Sequence, residues 1–157
     1  MNRFIIFSLA AAFALAVAAP VMAQGKTKHA GVGFIIGEPT GLDAKFFMNN
    51  TNALEFGLAW SLSGANEMHL QGDYLWHRYG LFDLKNGDEM PLYFGVGARF
   101  IFYEHADDVF GIRFPIGLDY LITNYPFDIF AEIVPILDLT PDSDFDLEGA
   151  IGARFWF

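Results

Sequence analysis

The chain of 157 residues is 54% hydrophobic and 17% aromatic, carries a formal net charge of −10 and contains no cysteine. One domain is expected at this length, and the lack of cysteine excludes disulfide bonds and thiolate metal sites. The acidic balance argues against nucleic acid as a partner, because binding to phosphates requires positive charge.

Residues 1–23 have the pattern of a secretory signal peptide. Arg3 opens a short basic region, residues 4–19 are almost purely apolar, and Val21 and Ala23 are small residues where a signal peptidase reads the chain. We predict cleavage after Ala23, followed by a polar lead-in at residues 24–29. An uncleaved anchor helix is the alternative interpretation.

The rest of the chain alternates apolar and polar side chains between turn-like segments. A period of two is typical of β-strands, since successive side chains point to opposite faces. Strands are predicted at about residues 30–37, 42–48, 53–62, 67–84, 91–103, 109–122, 127–139 and 145–157. An even number of successive hairpins predicts an all-β fold, an eight-stranded antiparallel up-and-down transmembrane β-barrel over residues 30–157.

Three positions interrupt the alternation. Pro115 and Pro135 fall inside predicted strands, where each removes a ladder hydrogen bond, so we expect bulges there. The pattern also falters at residues 78–80, where a further bulge is predicted before the strand continues to Leu84. Beyond a bulge, the assignment of side chains to the two faces can invert.

Alternation alone fits a soluble barrel with an apolar interior and a membrane barrel with a polar one. The polar face is rich in glycine and alanine, which suit a narrow lumen, and its charges can pair with one another. We predict a charged lumen network of Asp43, Lys45, Glu55, Asp73, Arg99, Arg113, Asp119, Glu132, Glu148 and Arg154. Asp128, Asp138, Asp146, His69 and His77 share this face.

Aromatic residues collect where the two membrane interfaces of such a barrel are expected. One predicted rim holds Trp76, Phe94, Tyr120, Phe127, Phe155 and Phe157, and the other holds Trp60, Phe102, Phe110 and Phe145. This distribution, together with the polar face, favours the membrane barrel.

Few residues suggest chemistry. His69, Asp73 and His77 follow one another on one strand at spacings of four residues, each about 13 Å, so the two histidines are too far apart to share a metal ion. His69 with Ser61 or Ser63 across a hairpin could form a nucleophile and base for lipid modification. The simpler interpretation is hydrogen bonding in the lumen, so we predict no catalytic residue, no metal site and no cofactor.

The chain from residue 30 to Phe157 resembles small outer-membrane barrels of the OmpA transmembrane-domain and OmpX kind. More narrowly, residues 37–42 (Gly-Glu-Pro-Thr-Gly-Leu) and 138–141 (Asp-Leu-Thr-Pro) resemble a family of uncharacterised bacterial outer-membrane barrels. The resemblance implies that Phe155 and Phe157 form a signal read by the barrel-insertion machinery, with periplasmic chaperones in transit. It also implies a monomer surrounded by outer-membrane lipid.

Three functions remain open on this basis. The first is a non-enzymatic outer-membrane protein, either structural or a narrow plugged pore. The second is a lipid-modifying enzyme that uses His69. The third is a soluble periplasmic lipid-binding barrel with an apolar interior.

Overall fold

The computed structural model describes residues 29–60, 67–84, 87–103 and 107–157. These residues form one antiparallel sheet with the strands β1 (Ala30–Gly37), β2 (Gly41–Phe47), β3 (Asn52–Trp60), β4 (Glu67–Arg78), β5 (Leu92–Tyr103), β6 (Val109–Arg113), β7 (Ile116–Leu121), β8 (Phe127–Thr140) and β9 (Asp144–Trp156). The predicted signal peptide with its cleavage site lies outside the described residues, and of the lead-in only His29 is described.

The sheet closes on itself. Strands that follow one another along the chain pair, except β6 and β7, and the last strand, β9, returns to pair with β1 from Gly31 opposite Trp156 to Gly37 opposite Ala150. A closed ring leaves no edge strand whose backbone groups lack partners. The predicted all-β, antiparallel, up-and-down barrel is therefore confirmed.

The strand count is refined from eight to nine because the predicted strand at residues 109–122 is two strands. Pro115 separates β6 from β7, and both pair with β5 on one side and β8 on the other. Proline has no N–H to donate, so the ladder stops there, although the Pro115 carbonyl still accepts from the Gly95 N–H at 2.9 Å.

Pro135 does not produce the bulge that we predicted. It stays in register opposite Leu147, and its carbonyl accepts a hydrogen bond of 2.9 Å from the Phe114 N–H. The missing donor thus faces the same gap between β6 and β7 that Pro115 opens. The register shift lies instead between Phe110 and Gly111, opposite Thr140 and Asp138. No face inverts, since Arg113 and Asp119 both point inward.

The predicted extension of β4 to Leu84 is wrong. β4 ends at Arg78, and the chain turns at Gly80, whose φ of 75° lies in the left-handed region that favours glycine. Among the residues that the structure describes, no helix is long and apolar enough to cross a membrane.

The barrel wall separates two kinds of side chain. Large apolar residues such as Phe34, Ile36 and Ile151 point outward and are exposed, whereas charged residues such as Lys45, Arg154 and Asp119 point inward and are buried. The bore is tight: a Cβ at Gly97 would collide with the Asp73 side chain, and one at Gly152 with the Phe130 ring. Glycine at these positions makes room for the large inward side chains.

Candidate functional site in the barrel lumen

All ten residues of the predicted lumen network point into the barrel and are buried. They reach the interior from every strand except β1, because alternate residues of each strand face inward. The contacts fall into two groups of ion pairs, one around Arg154 and the other around Arg99 and Arg113.

The Arg154 cluster consists of Arg154 and Lys45 with Asp43, Glu55, Asp119, Asp128 and His77. The guanidinium of Arg154 contacts four carboxylates: Asp43 through Nε, Glu55 at 2.7 Å, Asp119 at 3.1 Å and Asp128 at 3.4 Å. These acids come from β2, β3, β7 and β8, so one side chain from β9 connects four other strands across the bore.

Lys45 and His77 complete this cluster. The Lys45 ammonium lies 2.8 Å from Asp119 and 3.2 Å from Glu55, its cross-strand neighbour. The Nε2 atom of His77 lies 3.1 Å from Asp119, so His77 hydrogen-bonds in the lumen. Two aromatic faces also support the cations: Lys45 Nζ lies 4.3 Å from the Tyr93 ring centroid, and Arg154 Cζ lies 3.6 Å from that of Phe130.

The Arg99–Arg113 cluster consists of these two arginines with Asp73, Glu132, Asp138, Asp146 and Glu148. Arg99 donates two hydrogen bonds to Asp138, at 3.1 and 2.6 Å, and one to Asp146 at 2.9 Å. Arg113 contacts Asp73 at 3.2 Å through Nε. Glu148 joins the two arginines, since one of its oxygens accepts from Arg99 and the other from Arg113 at 2.7 Å.

Tyr93 lies between the two clusters and was not among the residues of the predicted charged network. Its ring lies under Lys45, while its hydroxyl donates to Glu132 at 2.9 Å, and Glu132 lies 3.8 Å from Arg113. Phe130, Ile35, Val134 and Ile136 are further inward and buried residues. The period-two alternation of their strands assigns these four residues to the inward face. Their apolar character does not by itself indicate a position in a polar lumen.

The two mouths of the barrel differ. The chain-end mouth holds Ala30, Trp156 and the turns after β2, β4 and β7. Here the rings of Phe47, His77 and Trp156 pack together, with centroids 4.8 Å apart for Phe47–His77 and 5.5 Å for Phe47–Trp156. The far mouth opens on Asp138 and Asp146, which are only partly buried.

Hydrogen bonds fix the loop between β4 and β5 at the chain-end mouth. Asp88 accepts from the Tyr120 hydroxyl at 2.6 Å and from the Thr123 N–H at 2.9 Å, and these bonds hold the pKa of the Asp88 carboxyl below its ordinary value. Burial raises the pKa of the Tyr79 hydroxyl to about 12, and the nearby Asp119 and Glu89 carboxylates act in the same direction.

The predicted aromatic rims appear as outward-facing ring contacts. At the chain-end rim, Trp76 stacks on Phe94 at 5.9 Å, and Phe155 contacts both Phe127 and Phe157 at 5.2 Å. Toward the other rim, Phe100 contacts Phe110 at 4.8 Å. Trp60 and Phe145 are also exposed on the outer wall.

The predicted pairing of His69 with Ser61 or Ser63 stays a prediction. His69 lies 3.6 Å from Glu67 near the far mouth, whereas Ser61 and Ser63 lie outside the described residues. His77 belongs to the Arg154 cluster instead. Within the part of the chain that the structure describes, no group of three or more His, Asp or Glu side chains is arranged to hold a metal ion.

These observations define the class of the protein as an all-β antiparallel barrel with ion pairs filling its lumen. The chain is similar in structure to the N-terminal β-barrel domain of Pseudomonas aeruginosa OprF, with a TM-score of 0.56 and 15% identity over 83% of this chain and 98% of that one. This likeness concerns the fold. No protein-family model and no curated protein matches the chain, and the narrower family resemblance stays a prediction.

Proposed function

We propose that the chain is an integral β-barrel of the bacterial outer membrane, non-enzymatic, and either structural or a narrow plugged pore. The observation that carries this proposal is the inverted distribution of polarity across the wall. Phe34 is 67% exposed on the outside, and the Arg154 side chain is 0% exposed on the inside. A soluble protein rarely exposes a continuous apolar surface, but lipid would cover this one.

The same polarity argues against a soluble lipid carrier. Such a barrel needs an apolar cavity for acyl chains, whereas this bore contains both ion-pair clusters and leaves little room beside them. The third hypothesis therefore loses its main support. The lipid-modifying enzyme has no contact in its favour among the described residues, and unchanged lipid A in a His69→Ala strain would exclude it.

The lumen contacts favour a plug over an open pore. An ion that crosses the bore must displace arginine–carboxylate pairs linking β9 to β2, β3, β7 and β8. Breaking one buried pair costs about 3–5 kcal/mol, which opposes spontaneous opening. We expect little or no conductance from the intact barrel.

The C-terminal aromatic residues support passage through the insertion machinery. Phe155 and Phe157 point outward and are exposed, and the Phe157 N–H donates to the Ala30 carbonyl at 2.9 Å. Their side chains are thus accessible at the strand that closes the barrel. Periplasmic chaperones in transit, signal cleavage after Ala23 and a monomeric state in the membrane belong to the same proposal.

Cell fractionation combined with heat-modifiable gel migration tests the location and the fold together. We expect the protein in the outer-membrane fraction, extracted only by detergent, and faster migration of unboiled than of boiled samples. Recovery in the soluble periplasmic fraction without detergent would contradict the membrane assignment. Planar-bilayer recording then separates a structural barrel from a pore, since stable channel events would argue against the plug.

A further inference from the structure

We propose that the cavity at the chain-end mouth binds a small organic cation, a quaternary or primary ammonium, between aromatic rings and the Glu89 carboxylate. The cavity has a volume of about 560 Å³, which lies within the range of small-molecule sites. It lies on the mouth side of the Arg154 cluster and adjoins that cluster at His77.

Aromatic rings form the floor and one wall of this cavity. Phe47, Trp156 and Tyr79 line it, and the buried His77 ring lies directly beneath, 4.8 Å from Phe47 and 6.4 Å from Tyr79 between centroids. The face of an aromatic ring carries negative potential and attracts cations. Neutral apolar ligands would gain contact with the same rings but nothing from their potential.

Charge in and near the cavity also favours a cation. Among the described lining residues, Glu89 is the carboxylate, His29 is the basic side chain, and neither lysine nor arginine is present. The Glu89 and Asp119 carboxylates both raise the pKa of the Tyr79 hydroxyl, and Tyr79 lines the cavity beside Glu89. The lumen below contributes further, since carboxylates outnumber the arginines and lysine in each cluster.

The walls are fixed before any ligand arrives. Thr123 donates to the Gly87 carbonyl at 2.6 Å and to the Asp88 carboxylate through its N–H, tying the β4–β5 loop to the β7–β8 turn. Across the cavity, the Asn49 side chain accepts from the Thr51 and Asn52 N–H groups at 2.9 Å. A preorganised site loses less entropy when it binds a small ligand.

The test uses the full chain, refolded in detergent, and two probes of the same shape. Choline carries a quaternary ammonium, and 3,3-dimethyl-1-butanol replaces its nitrogen with carbon. We expect choline to shift the indole N–H resonance of Trp156 with a Kd in the millimolar range and the uncharged alcohol to cause no shift at equal concentration. Equal shifts from both probes would overturn the proposal in favour of a merely apolar cavity.

Substitutions test whether the Glu89 charge and the Tyr79 ring contribute to choline binding. Glu89→Gln and Tyr79→Leu should each weaken choline binding at least about fivefold, because each removes one attraction on the cation. Asp83→Asn is the matched control: it removes a carboxylate from the same loop, but Asp83 does not line the cavity. Unchanged choline affinity in Glu89→Gln, or an equal loss in Asp83→Asn, would contradict a site at Glu89. Retained heat-modifiable migration shows that each variant is folded.

Discussion

The two lumen clusters use the same chemistry in different surroundings. In the Arg154 cluster the paired side chains are between 0% and 1% exposed. In the Arg99–Arg113 cluster the exposure rises toward the far mouth, and the Asp146 carboxylate is 50% exposed. An ion pair is strengthened by a low local dielectric, yet each partner loses more when the other is removed. Depth in the bore therefore decides how much each arginine matters.

The difference arises from what covers each cluster. At the chain-end mouth, Phe47 packs against His77 of the Arg154 cluster and against Trp156. Arg99 instead reaches the far mouth directly, where Asp138 and Asp146 meet water. Aromatic rings thus seal one end of the plug, and charged side chains form the surface of the other.

The largest effect is expected from Arg154→Met. This substitution leaves four buried carboxylates without their shared cation, so we expect a loss of about 3–5 kcal/mol in the free energy of unfolding. The loss should be insensitive to salt, because water and ions do not reach the site. Urea unfolding in detergent micelles, followed by tryptophan fluorescence, measures it.

Arg78→Met is the matched control for this substitution. Arg78 ends β4 and is exposed, so its replacement should change the free energy of unfolding by less than about 0.5 kcal/mol. If Arg154→Met were as mild as Arg78→Met, the Arg154 cluster would not be the sealed, dry group that the contacts describe.

Arg99→Met should cost less, about 2 kcal/mol. Arg99 makes charge-assisted hydrogen bonds to Asp138, Asp146 and Glu148, but water can solvate the exposed carboxylates after the substitution. Part of the contribution is exposed to ions, so the loss should shrink when salt is raised from 0.05 to about 0.5 M. If Arg99→Met lowered the free energy of unfolding as much as Arg154→Met does, with no dependence on salt, the two clusters would not differ.

Alternation of side chains was sufficient to place the charged residues inside the barrel. Period two assigns Asp43 and Lys45 on β2, and Asp119 five strands later on β7, to the same interior without any knowledge of the register. The ring closure and the inward direction followed from the count of strands and the small residues on the polar face. The sequence could not show that Pro115 splits one strand while Pro135 does not, because both lack the same donor and only their neighbours differ.

The sequence could not predict which acidic and basic side chains pair inside the lumen. Which carboxylate meets Arg154 depends on shear and tilt of the barrel, which bring Asp43 and Asp119 together across the bore although they lie on strands that do not pair. The division into two clusters also depends on Tyr93 and Phe130, which look like ordinary barrel residues in the sequence. A count of charges predicts a network but not where the network divides.

The smallest effect is expected from Tyr93→Phe, and it tests whether the two ion-pair clusters are independent. Tyr93→Phe keeps the ring beneath Lys45 and removes only the hydroxyl that donates to Glu132 at 2.9 Å. We expect a loss of about 1 kcal/mol, confined to the Arg99–Arg113 cluster, because a buried acceptor loses one donor. In a double-mutant cycle with Arg154→Met, the two losses should add to within about 0.5 kcal/mol, since the substitutions share no contact. A larger coupling energy would mean that Tyr93 couples the two clusters energetically. The lumen would then contain one continuous network rather than two.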